Sequence, residues 1–114
     1  MKLSPRRRRV WRCLIRKLKG ELPPGVPVTV RTQKLKDISG DSDRVMKLGR
    51  MVGIRIRISD DPCWSCRVDT LIHEWAHAME WSAHWVDGSP KQDHGETWGV
   101  WYAKAYCLLS QIEE

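Results

Sequence analysis

Five consecutive residues carry the strongest chemical signal in the chain. His73-Glu74-Trp75-Ala76-His77 sets two imidazoles four positions apart, with a carboxylate directly after the first. On a helix, residues four apart share a face and lie roughly 6 Å apart along the axis. Two imidazoles so placed can meet one Zn²⁺ at roughly 2.0–2.1 Å each. Glu74 then lies beside the metal rather than on it. A carboxylate there can take a proton from an activated water and later deliver it to a leaving amine. The expectation is one zinc per chain on His73 and His77, with Glu74 as general base. The competing reading is a chance pentapeptide on an ordinary amphipathic helix. Context opposes it: a strong strand precedes the motif, and a further His follows a turn.

A catalytic zinc usually has three protein ligands and one open position. His84 shares the face of His73 but lies roughly 10 Å beyond His77 on a straight helix, too far for the same metal. The metzincin pattern needs glycine at position 80 and histidine at position 83; Glu80 and Ala83 stand there. His94 is better placed, past a turn and at the start of the next helix, which can fold back along the first. Glu96 is the alternative. A carboxylate about twenty residues after the motif completes thermolysin-like sites, but Gly95 stands where Asn normally precedes it.

These groups need elements to hold them. Residues 5–19 read as a helix, with Val10, Leu14, Ile15 and Leu18 forming an apolar stripe and Arg and Lys on the other faces. Pro5 suits its first turn and Gly20 its end. Val26, Val28 and Val30 alternate as a strand, and Pro27 puts that strand near an edge or start. Residues 39–43 read as a turn or loop, and residues 44–48 as a short strand. Val52, Ile54, Ile56 and Ile58 alternate with Gly53, Arg55 and Arg57 to give the best strand. Short connections predict antiparallel pairing. A long helix is expected from Ser65 to Trp85, a turn at 87–90, and a last helix from Gly95 to Gln111. Trp98, Trp101, Tyr102, Ala105, Leu108 and Leu109 make the apolar face of that helix. The order predicts an α+β fold with one small antiparallel sheet of about three strands, as a single domain over residues 1–114.

Composition narrows the classes. The chain has 114 residues, 41% of them hydrophobic and 30% charged, values typical of a globular protein. Seven Trp and no Phe require a core built around indoles, each of which needs a partner for its N–H when buried. Trp75 is expected to be packed, and Tyr102 to be core rather than catalytic. No apolar run is long enough to cross a bilayer, and charges interrupt any leader-like segment after Arg9. A cytoplasmic protein with no membrane contact is expected.

The net charge of +6 is uneven. Residues 1–20 hold nine Lys/Arg and no Asp/Glu. Arg6, Arg7, Arg8, Arg9, Arg12 and Arg16 could contact nucleic acid, or they could be a solvated helix face. Cys63 and Cys66 form a C-x-x-C at a helix start. A second zinc would need two more ligands, and Cys13 and Cys107 sit on separate helices. Two separate thiols, packed or partly exposed, are expected ahead of either a metal or a redox role. Arg55 and Arg57 could tune the preference of a substrate paired to their strand, or could simply be a solvated sheet face.

The run Asp69-Thr70-Leu71-Ile72-His73-Glu74-Trp75-Ala76-His77-Ala78 resembles the active-site helix of SprT-like metallopeptidases, the zincin family that includes Spartan. Its second signature, a His-Gly pair followed by an aromatic, has its counterpart in His94-Gly95-Glu96-Thr97-Trp98. The two cover residues 69–98. The resemblance implies a zincin-like domain with His73, His77 and His94 as zinc ligands and Glu74 as base. It also implies cleavage of protein substrates, often near DNA. A different class stays open: a nucleic-acid-binding module whose zinc site is structural or vestigial. Against it, Glu74 has no place in a purely structural site, and structural zinc is normally closed by four ligands.

Overall fold

A ten-residue strand forms the middle of the fold because its alternate residues are aliphatic. The computed structural model describes residues 3–60, 63–84 and 96–112. The order is α1 (Pro5–Glu21), β1 (Val28–Gln33), β2 (Gly40–Lys47), β3 (Arg50–Ser59), α2 (Trp64–His84) and α3 (Glu96–Ser110). This is an α+β arrangement of three helices and a three-stranded sheet.

The sheet is mixed, not antiparallel. Its order is β1-β3-β2. β2 and β3 form an antiparallel hairpin, with Asp41 opposite Arg57 and Asp43 opposite Arg55. β1 lies parallel to β3, with Val28 opposite Ile54 and Val30 opposite Ile56. The chain crosses from β1 to the far edge before the hairpin returns β3 to the centre. Short connections do not reveal that insertion. β3 takes the centre because Ile54, Ile56 and Ile58 must be buried. Val52 was expected on the same face, yet it is exposed. It is the extra residue where the ladder shifts register between Val45 and Met46.

β2 also begins earlier than its composition suggests. Residues 40–43 read as a turn but lie in the strand. Arg57 grips Asp41 through two hydrogen bonds, and Arg55 donates to Asp43 at 3.1 Å. These cross-strand pairs offset the poor strand propensity of Gly and Asp. The Arg57 guanidinium holds the Asp41 carboxyl below its ordinary range. The hairpin turns through Leu48 and Gly49, both at positive φ (52° and 75°), as a two-residue loop of the primed kind requires.

α2 lies on the apolar face of the sheet, and α1 and α3 complete the core around it. Leu14 and Leu18 of α1, Leu71, Ile72 and Trp75 of α2, and Ala105 and Leu108 of α3 share one core with the three isoleucines. Burying each large aliphatic side chain stabilises the fold by roughly 1.5–3 kcal/mol. Trp75 is wholly buried, and its Nε1 donates to the Leu22 carbonyl at the end of α1, at 2.9 Å. α1 starts as expected: Ser4 Oγ accepts the Arg7 N–H at 3.2 Å and Pro5 fills the first turn. Among the described residues, no helix is long and apolar enough to cross a membrane.

Candidate metal centre

The chemistry-bearing residues lie on α2, whose apolar stripe is locked against the sheet. That packing fixes the helix rotation and leaves His73 half-buried, with Glu74 and His77 buried. The two imidazoles converge: His73 Nε2 and His77 Nε2 stand 3.2 Å apart. Two nitrogens bound to one tetrahedral zinc at 2.0–2.1 Å would be about 3.3–3.4 Å apart. The pair therefore fits a shared zinc with almost no adjustment.

Trp98 of α3 closes one side of this pair. Its ring lies edge-on to His73 at 5.1 Å and tilted to His77 at 5.7 Å. Its Nε1 donates to the His73 carbonyl at 3.4 Å. Trp81 stacks on His77 from the other direction at 6.4 Å, and the Arg44 guanidinium lies over Trp81. His77 thus packs against the indoles of both Trp98 and Trp81, and His73 against that of Trp98.

Tyr102 stacks on Trp98 at 5.0 Å and donates its hydroxyl to Asp69 of α2. The carboxylate holds that proton and pushes the phenol up to about 12. Tyr102 is half-buried rather than core, and it braces the wall formed by Trp98.

Comparison of the chain with protein-family models, with curated proteins and with solved structures found no match. The functional reading therefore rests on the residues and their geometry.

Glu74 is positioned from the sheet. Its Oε1 accepts the Ser42 hydroxyl at 2.7 Å, while its Oε2 lies 3.9 Å from His73 Nε2. One carboxylate oxygen is tethered and the other is turned toward the imidazole pair. β2 comes this close because Gly40 has no side chain. A Cβ there would stand 2.6 Å from Thr70 Cγ2 and 2.7 Å from the Arg57 carbonyl. Sequence reasoning missed Ser42, since Ser39-Gly40-Asp41-Ser42-Asp43 has turn composition. The available signal was alternation, which puts Ser42 on the face opposite Asp41 and Asp43.

His94 lies outside the described residues, as do the side chains of Glu96 and His84. Among the described residues, no His, Cys, Asp or Glu completes a group of three for a metal. Arg55 and Arg57 lie on the central strand, whose two edges are both occupied, so that strand cannot pair with a substrate. Their side chains partner Asp43 and Asp41 instead. Cys63 and Cys66 are not separate thiols. They are joined as a disulfide at the start of α2, because the first helical turn brings their Cα atoms to 5.2 Å.

Proposed function

We propose that the chain is a zinc-dependent endopeptidase of the SprT-like, zincin type, hydrolysing peptide bonds in protein substrates. One observation carries this reading: a convergent imidazole pair adjoins a buried carboxylate whose far oxygen is tethered. A structural site would need no such carboxylate. A zinc ion held by His73 and His77, with His94 as third ligand, would supply Lewis acidity to a water and to the scissile carbonyl. Glu74 takes the proton of the attacking water on Oε2 and passes it to the leaving amine. Ser42 keeps the carboxylate aimed during both transfers. Trp98 and Trp81 pack against the imidazoles and help to orient them. The outer edge of β2 is the strand edge beside Glu74, and an extended substrate adds to it through backbone hydrogen bonds.

The Glu74→Gln variant tests this directly. It should bind zinc as the parent does and fail to cleave casein, since an amide cannot accept the proton. Parent-level cleavage by the variant would overturn the mechanism.

A second reading concerns where the enzyme acts. Val10, Leu14 and Leu18 of α1 are buried, while Arg6, Arg7, Arg8, Arg9, Arg12 and Arg16 are exposed. This supports a nucleic-acid contact that brings the protease to DNA-bound proteins. Binding of that kind weakens with salt, with a log–log slope of about −0.9 per neutralised phosphate on duplex DNA. Changing Arg6, Arg7, Arg8 and Arg9 to Ser should flatten the slope. An unchanged slope would remove α1 as the contact. Salt-dependent DNA binding by a chain that hydrolyses nothing would favour a nucleic-acid-binding module with a structural or vestigial zinc site.

A further inference from the structure

The start of α2 carries a sulfur pair that the hydrolytic chemistry does not use. Cys63 precedes the helix, Cys66 lies in its first turn, and the two are joined. The bridge ties no two elements together. It closes a loop within one turn, and short loops give a disulfide its least effect on stability.

The surroundings suit exchange rather than permanence. Cys63 Sγ accepts the backbone N–H of Cys66 at 3.3 Å and lies 3.4 Å from the Ser65 hydroxyl. Once the bridge opens, those donors and the helix N-terminus stabilise a thiolate at Cys63. The first turn of α2 holds no acidic residue to oppose it. Cys66 is exposed and Cys63 half-buried. An incoming thiolate therefore reaches Cys66, and the stabilised Cys63 sulfur is the better leaving group.

A groove of about 280 Å³ adjoins the bridge, walled mainly by Trp64, Val68, Tyr106, Leu109 and Ile112, with Ser65 and Asp69 as its polar lining. Trp64 and Ser65 are the two residues between the cysteines, so one wall of the groove is the disulfide loop itself. The wall is largely apolar and has room for one or two side chains.

We propose that Cys63 and Cys66 form a dithiol–disulfide exchange site whose partner is a cysteine-bearing polypeptide with an apolar residue beside its cysteine. The apolar residue occupies the groove, and the partner's thiolate attacks Cys66 Sγ. The Sγ–Sγ bond breaks and Cys63 leaves as the thiolate. A second partner thiol, deprotonated, attacks the mixed disulfide and releases Cys66. The partner departs as a disulfide; two electrons and two protons have passed from its thiols to the cysteine pair. The reverse sequence oxidises the pair. No imidazole or metal takes part, so the proposal stands apart from the hydrolytic reading.

The test uses the full chain with a chelator present. The oxidised protein is treated with reduced glutathione or with the tripeptide Leu-Cys-Leu, quenched in acid, alkylated and weighed, with peptide mapping. Cys63 and Cys66 should become alkylated together. The apolar peptide should act roughly tenfold faster than glutathione, as burial of one aliphatic side chain allows. The advantage should shrink in Tyr106→Ser, a change at an exposed rim position. Equal rates for the two thiols in the parent protein, or a bridge that neither opens, would overturn the proposal. In Cys66→Ser, the Cys63 thiol should alkylate at lower pH than that of Cys107. Coincident pH profiles would overturn the assignment of Cys63 as leaving group.

Discussion

Ser42 donates its hydroxyl to Glu74 Oε1 across 2.7 Å, joining the edge of the sheet to the carboxylate of the histidine-bearing helix. Losing a hydrogen bond to a charged group costs about 1.5–3 kcal/mol. If the bond aims the general base, Ser42→Ala should lower kcat for peptide cleavage roughly tenfold or more, with zinc content and KM near parent values. Ser42→Thr should recover part of the loss. Zinc leaving together with activity would mark the bond as structural support and not as aim.

The third ligand can be assigned by metal analysis. One zinc per chain is expected, and His94→Ala should weaken it far more than Glu96→Ala in a chelator competition. The opposite ranking would assign Glu96. Two zincs in the reduced protein would place a second metal on the cysteines.

Tyr102 gives the fold an alkaline limit. An unfolded tyrosine loses its proton near pH 10, whereas in the fold Tyr102 holds it to about 12. The Asp69 contact therefore stabilises the protein fully below pH 10, and that contribution disappears as pH rises toward 12. Tyrosinate absorbance in a Tyr106→Phe background should show the high midpoint, and Asp69→Asn should bring it down. An unmoved midpoint would mean that another group holds the proton.

Leu48 is 95% exposed and sits at a φ of 52°. Left-handed backbone at a non-glycine residue costs about 1–3 kcal/mol, and an Asn-Gly pair is the favoured sequence for such a turn. Leu48→Asn should therefore raise the urea midpoint, by about 1 kcal/mol of stability, at an unchanged m-value. A lower midpoint would show that the leucine side chain contributes packing.

The histidine pair, the carboxylate beside it, the basic helix and the central strand were all legible, because each is a local pattern. An i, i+4 spacing or an aliphatic alternation carries its geometry within a few residues. The positioning of Glu74 was not legible in the same way. Ser42 lies thirty-two residues away on a segment whose Gly, Ser and Asp content reads as a turn. It becomes a strand through its ladder with β3, across which Arg55 and Arg57 also supply partners. The expectation of antiparallel pairing failed for β1 for a related reason: which strand β1 joins depends on a crossover, and connection length does not encode it. The cysteines were read as two thiols because a C-x-x-C spacing by itself does not encode a disulfide. The convergence of a helical turn decides it.

The insertion of β3 between β1 and β2 also sets an order of assembly. A ribosome releases β1 well before β3, the strand that will satisfy its backbone. β2 and β3 can zip together through a two-residue turn, but Val28 must wait for Ile54, and Gln33 for Ser59. Until then the nascent chain displays a valine-bearing segment with an unfilled row of amide and carbonyl groups. Anything that captures extended peptides, whether a chaperone or another copy of the chain, has its opening in the interval between the synthesis of those two strands.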